Sequence, residues 1–282
     1  MPPSSVRDKN LITLASGKEL CVEINRPPSS DQAPAIVFMH GLGSSTTFWE
    51  ATLNDSKLKE HFTLIRFDFD GHGLSPFSGP VTGSNPSLID LVHDVKDVME
   101  YAGVQRAAGL VGHSMSGLVA SHFAAKYPER VEKLVLLGAM KELGGSTKEV
   151  MSKRSHAVLE SGMSPLVPQI VASALSQHTK ETSPLSAALV RALVLSTSCE
   201  AYSAACQALA GAVDPDYRAI RSRTLVVAGE EDYMSPRATT DFFADNIAEV
   251  EVVTMKKVGH WHAIEQPTEL RSIFENFFLA AM

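Results

Sequence analysis

Leu110-Val111-Gly112-His113-Ser114-Met115-Ser116-Gly117 decides how the rest of the chain is read. A short apolar run enters this stretch, the spacing predicts a helix beginning near Leu118, and a serine stands at the bend between them. A strand that turns so sharply into a helix needs small residues two before and two after the bend. Gly112 and Ser116 meet that need. Ser114 is the side chain such a bend exposes, and Ser116 stays a second candidate hydroxyl. A glycine-rich turn with an incidental serine would read the same way, so the surrounding sequence has to choose.

Runs of the same kind recur at Ala35-Ile36-Val37-Phe38-Met39, Phe62-Thr63-Leu64-Ile65-Arg66-Phe67, Leu134-Val135-Leu136-Leu137 and Leu225-Val226-Val227-Ala228. Each is short, apolar and soon followed by Gly or Asp, the pattern of strands covered on both faces of a parallel sheet. Ala108-Gly109-Leu110-Val111 and Val250-Glu251-Val252-Val253 complete the set. Between them, Leu88, Leu91, Val92, Val95, Val98 and Met99 form one helical stripe over Leu88 to Tyr101. Alternating strands and helices predict an α/β fold with a doubly wound, mostly parallel sheet. Leu11 to Leu14 and Leu20 to Ile24, separated by Ser16-Gly17-Lys18, predict a hairpin at the sheet edge, and a closing helix is expected from Pro267. From Met140 to Asp216 the alternation stops and the segment reads as helical. The expected organisation is a core of residues 1–139 and 217–282, with 140–216 inserted between two strands as a helical cap over their carboxyl ends.

With 44% hydrophobic and 20% charged residues in 282, the composition is that of an ordinary soluble protein. A net charge of -7 without any long Lys or Arg run makes nucleic acid an unlooked-for partner. The polar Met1 to Asn10 lacks a signal-peptide pattern, and no run of roughly 18 apolar residues appears, so no membrane association and a cytoplasmic location are expected. Three scattered cysteines suggest neither a disulfide framework nor a metal site; Cys199 and Cys206, seven apart, share a helix face as buried small side chains. No phosphate-binding or dinucleotide-binding glycine pattern occurs, and no cofactor is expected.

A serine hydroxyl needs a base to become a nucleophile, and the base needs a carboxylate to orient it. His40-Gly41-Leu42-Gly43 directly follows the first buried strand, Val227-Ala228-Gly229-Glu230-Glu231-Asp232-Tyr233-Met234-Ser235-Pro236 leaves a later one, and Val258-Gly259-His260-Trp261-His262-Ala263-Ile264-Glu265-Gln266-Pro267 lies between the last strand and the closing helix. On these stretches the chain resembles the α/β-hydrolase family, whose nucleophile elbow is G-x-S-x-G, although Ser116 stands where the last glycine is usual. The resemblance implies that Ser114 is the nucleophile, that His260 is its base, by a G-H-x-x-x-x-E-x-P match, and that Asp232 orients it, by a G-x-x-D-x-x-x-P match. It also implies that the backbone N–H groups of Leu42 and Met115 form an oxyanion hole. His262 competes with His260, and Glu230 and Glu231 with Asp232. The order Ser114, Asp232, His260 is the order of this fold. His40 reads as a buried histidine that pins its loop, and His40, Gly41, His113 and Trp261 are candidates for the substrate pocket. Asp68-Phe69-Asp70-Gly71-His72-Gly73-Leu74-Ser75 resembles the family's D-x-x-G-x-G-x-S turn, with Asp68 stabilising the turn and Asp70 departing from the expected Arg or Pro.

A serine at the elbow argues against relatives that need a carboxylate nucleophile. Ser198 to Leu209, Ile220 to Gly229 and Gly259 to His262 resemble the 3-oxoadipate enol-lactonase group, which implies a small ester or lactone as the partner molecule. A C–C bond hydrolase or a non-hydrolytic binder could use the same pocket. Arg154, Arg191 and Lys141 could each receive a substrate carboxylate or be solvated surface charges. The cap helices could pair in a homodimer, and a monomer is equally consistent.

Overall fold

In the computed structural model, which describes residues 6–28, 30, 32–79 and 87–280, the apolar runs become strands of one sheet. They are β1 (Val6–Thr13), β2 (Glu19–Arg26), β3 (Ala35–Met39), β4 (Thr63–Phe67), β5 (Ala107–His113), β6 (Val131–Leu137), β7 (Arg223–Gly229) and β8 (Val250–Met255). Their order is β1-β2-β4-β3-β5-β6-β7-β8. β1 and β2 form the expected antiparallel hairpin, β2 joins β4 antiparallel, and the remaining neighbours are parallel. β3, β4 and the Leu134 to Leu137 half of β6 are buried throughout, as strands covered on both faces must be. β8 differs from the expected buried run: it is an edge strand, and Glu251 and Val252 face solvent.

Helices cover the sheet: α1 (Leu88–Tyr101), α2 (Met115–Lys126), α8 (Arg237–Asn246) and α9 (Pro267–Leu279). Ser87 caps α1 by accepting the Ile89 N–H, and Leu88, Val92, Val95, Val98 and Met99 form its buried stripe. α2 starts at Met115, three residues earlier than expected, because the turn is completed by Ser114 alone. Gly109 of β5 faces Phe278 of α9, while Gly112, three residues on and so on the other face, lies against the first turn of α2. Five further helices, α3 (Gly145–Ser161), α4 (Val167–Ala174), α5 (Gln177–Thr182), α6 (Pro184–Leu195) and α7 (Cys199–Ala210), fill the chain between β6 and β7. α3 and α7 lie side by side, and α4 and α5 both pack on α6.

β3 is followed in the chain by β4 on one side and then by β5 on the other, so the direction of winding reverses at the β3–β5 pair. Ligands of open α/β sheets bind in the crevice outside the carboxyl ends of such a pair. His40 to Gly43 leave one of these ends, and His113 to Met115 leave the other.

Candidate active site

Ser114 sits at φ 58°, ψ -119°, a left-handed conformation that only a closely constrained turn imposes on a side-chain-bearing residue. The constraint is visible at Gly112, where a Cβ would stand 2.3 Å from the Ser116 carbonyl oxygen. Ser116 is fully buried, and its hydroxyl lies 2.8 Å from Met39 O, 2.9 Å from His113 O and 2.9 Å from the His113 N–H. It ties the bend to the end of β3 and has no access to a substrate, which separates the two candidate serines.

The loop after β3 is pinned from β4. Thr46 N–H donates to Asp68 Oδ1 (2.6 Å), Leu74 N–H donates to Asp68 Oδ2 (2.9 Å), and Phe69 N–H donates to His40 Nε2 (3.1 Å). His40 Nδ1 lies 2.8 Å from Gly41 O, which fixes the neutral tautomer with the proton on Nδ1. Burial lowers the His40 pKa to about 4. The Leu42 and Met115 N–H groups make no hydrogen bond among the described residues, and Leu42 and Ser114 border the same cavity. The Met115 N–H stands directly after the serine, at the amino end of α2.

His260 Nε2 is 2.8 Å from Ser114 Oγ, and His260 Nδ1 is 2.9 and 3.0 Å from the two Asp232 oxygens. A carboxylate there accepts only, so the proton sits on Nδ1 and leaves Nε2 free to take one from serine. Asp232 also accepts the Met234 and Ser235 N–H groups at 2.9 Å. Burial would raise its pKa, but His260, then His262 and the Ser235 N–H, outweigh that and hold it below the ordinary value. Ser114, Asp232 and His260 are exposed by only 7%, 5% and 6%, so their contacts are shielded from competing water. Glu230 pairs instead with Lys256 at the surface, and Glu231 accepts the Gln177 N–H.

The serine opens on a small, partly enclosed cavity. Leu42, Met140, Val194 and Trp261 give it an apolar wall, and Arg154 and Tyr202 are polar members of its lining. Of the four pocket candidates, Trp261 lies in this lining, whereas His40, Gly41 and His113 do not. His40 and His113 are packed behind the serine, His113 stacking on Phe48 with ring centroids 4.3 Å apart, and a Cβ on Gly41 would meet His113 Nδ1 at 2.8 Å. His262 is fully buried, with Nδ1 2.9 Å from the His260 carbonyl oxygen, and so supports the loop.

Arg154, left undecided by the sequence, is the one of the three cations that lines this cavity; Arg191 and Lys141 are absent from its lining. Its guanidinium stands near the Tyr202 hydroxyl and the Cys206 thiol, where burial pushes the phenol up and the thiol up to about 12. Cys206 is therefore a neutral thiol, unsuited to nucleophilic work. Arg154 reaches this cavity from α3, which packs along α7, a tertiary placement that no local motif marks. Among the described residues no group of three or more His, Cys, Asp or Glu is arranged to hold a metal, and no helix is long and apolar enough to cross a membrane.

Residues 34–267 match the model of the α/β-hydrolase fold family. The chain is 28% identical over 278 residues to 3-oxoadipate enol-lactonase 1 of Acinetobacter baylyi, covering 95% of this chain and 96% of that protein. It superposes on the crystal structure of the enol-lactonase from Burkholderia xenovorans with a TM-score of 0.86 at 26% identity, covering 96% of this chain and 100% of that one. An esterase from Thermogutta terrifontis, solved with malate bound, gives a TM-score of 0.85 at 23% identity over 98% and 99% of the two chains, a likeness of fold alone.

Proposed function

The chain belongs to the α/β-hydrolase fold family, and from that premise we propose that it hydrolyses a small carboxylic ester or lactone through an acyl-serine intermediate on Ser114. The observation that carries the reading is the unbroken contact from Ser114 Oγ through His260 to Asp232, at 2.8 and 2.9 Å. His260 Nε2 takes the hydroxyl proton as Oγ attacks the carbonyl carbon. The oxygen that gains charge is met by the Leu42 and Met115 N–H groups, each such donor being worth ~3 kcal/mol in the transition state. Asp232 keeps the imidazole in the required tautomer and stabilises its charged form. As the tetrahedral species collapses, His260 returns the proton to the leaving alkoxide, and the acyl group stays on Ser114. Water then attacks the acyl carbon, His260 accepting its proton; the bond from the acyl carbon to Oγ breaks, His260 returns the proton to Ser114 Oγ, and the acid is released. In a lactone the alkoxide remains tethered to the acyl group, so the product is one hydroxy acid, or its keto form if the ring oxygen was enolic.

The helical segment 140–216 acts in this reading as a cap over a core of 1–139 and 217–282. Its Arg154 faces the cavity that holds the serine, which favours substrates with an anionic group at the end away from the scissile bond. Enol-lactonase relatives at 28% and 26% identity support the lactone member of the pair. Ser114→Ala is expected to lower kcat/KM by about 10³-fold or more on an ester and lactone panel that includes carboxylated members. A fluorophosphonate should label the native protein at Ser114 and leave the variant untouched. A folded Ser114→Ala protein that keeps most of its turnover would sink the assignment.

A further inference from the structure

His260 is held by its backbone as well as by its ring. Its N–H donates to the carbonyl of Ala174 at the end of α4 (2.7 Å), and its carbonyl accepts from His113 Nε2–H (2.8 Å) and His262 Nδ1–H (2.9 Å). Both neighbouring peptide N–H groups go to one carboxylate: Glu265 accepts from Gly259 (3.1 Å) and from Trp261 (3.0 Å). Glu265 also reaches the helical segment above, accepting from Ser176 N–H and from Thr179 Oγ1–H, each at 2.9 Å. Glu265 is only 8% exposed, and every one of these partners is an N–H or O–H of a neutral group.

A carboxylate buried without a cation is expensive, and its place must be secured by donors that saturate its oxygens. An apolar side chain would fill the same volume without that cost. What the charge secures is a junction between two backbones: a Cβ on Gly259 would stand 2.7 Å from both Ala174 O and Ser176 N, so the loop and the 174–179 turn touch main chain to main chain. Gln177 N–H adds a parallel tie to Glu231, at the base of the loop that carries Asp232.

We propose that Glu265 is a positioning residue that locks the loop bearing His260 to the turn spanning Ala174 to Thr179, so that the imidazole meets Ser114 only while that turn is docked. The proposal rests on the serine-hydrolase reading above. Docking of this part of the helical segment and alignment of the base are then one event, and Glu265 acts on the reaction through His260 without touching substrate.

The test compares native protein, Glu265→Gln and Thr179→Val by kcat and KM on a p-nitrophenyl ester and by the rate at which a fluorophosphonate labels Ser114. Glutamine keeps the volume but turns an NH2 toward groups that are themselves donors. In Glu265→Gln both kcat and the labelling rate should fall at least tenfold while KM stays within twofold, with the circular dichroism of the native protein. Thr179→Val deletes one donor on the far side of the junction and should lower the same two rates severalfold; it carries the test alone if the glutamine variant does not fold. A folded variant with native kcat, a loss confined to KM, or a fall in kcat with an unchanged labelling rate would each overturn the proposal. Native protein that is not labelled at Ser114 would overturn the serine-hydrolase reading with it, so the two failures are told apart.

Discussion

Ser114 holds a backbone conformation that costs a non-glycine residue ~1–3 kcal/mol. The bonds that hold it there come from neighbours with no role in the chemistry. Ser116 is the chief of them, since its hydroxyl joins the bend to Met39 and to both polar groups of the His113 backbone. Ser116→Ala leaves the buried His113 N–H unpaired, and an unmade bond of that kind costs ~1–3 kcal/mol. Urea denaturation should show a loss of that size, while fluorophosphonate still modifies Ser114. A variant with the stability of the native protein and no labelling would reverse the roles given to the two serines. At this scale the sequence singled out Ser114, Asp232 and His260 as candidates, because each stands in a short family-like pattern with a glycine or proline at a set distance. It assigned no task to Glu265, because that side chain is occupied with peptide N–H groups, and every residue type but proline carries the same N–H.

Elements were legible where one periodicity ran uninterrupted. Leu88 to Tyr101 and the helix starting at Pro267 form where their stripes place them. The start of α2 was read three residues late because Ser116 and Gly117 are poor helix formers, and contacts with Met39 of β3 and with Ala139 just past β6 override that preference. The extent of β6 was underestimated: it begins at Val131, and Glu132 and Lys133 near its start are more exposed than the apolar half. The meeting of the loop after β8 with the turn after α4 had no signature beyond a glycine. Gly259→Ala tests that junction. The added methyl group would meet backbone atoms at 2.7 Å, which no rotamer change can relieve, so the turn must lift. A stability loss of ~1–3 kcal/mol is expected, together with slower ester turnover; native values of both would mean the two segments can part freely.

For the molecule as a whole, acid should be the sensitive direction. Burial lowers the pKa of His40 to about 4 and of His72 to about 3, and also holds His113 and His262 below the ordinary value. Below pH 6.5 the unfolded chain takes up protons at these rings that the folded chain refuses. The stability they contribute is thus complete above pH 6.5 and drains as pH falls toward their folded values, by up to ~1.4 kcal/mol per pH unit for each ring. Asp94 works the other way: burial raises it to about 6 despite Lys18 at 2.9 Å, so between the ordinary value of 3.8 and about 6 the folded state binds the extra proton and offsets one histidine. Urea midpoints should therefore drop between pH 7 and pH 5, and His72→Gln should make that drop shallower by about one proton. The same view of the molecule bears on α9. Arg271 donates to the carbonyls of Ala51 and Thr52, and Glu275 accepts from Ser56 and the Lys57 N–H, across more than two hundred intervening residues. Phe274 and Phe278 meanwhile lie against Phe38 and Phe62. During synthesis, then, that face of the early strands stays uncovered until residues 267–279 have emerged from the ribosome, and over that interval its apolar surface is open to contact with other chains.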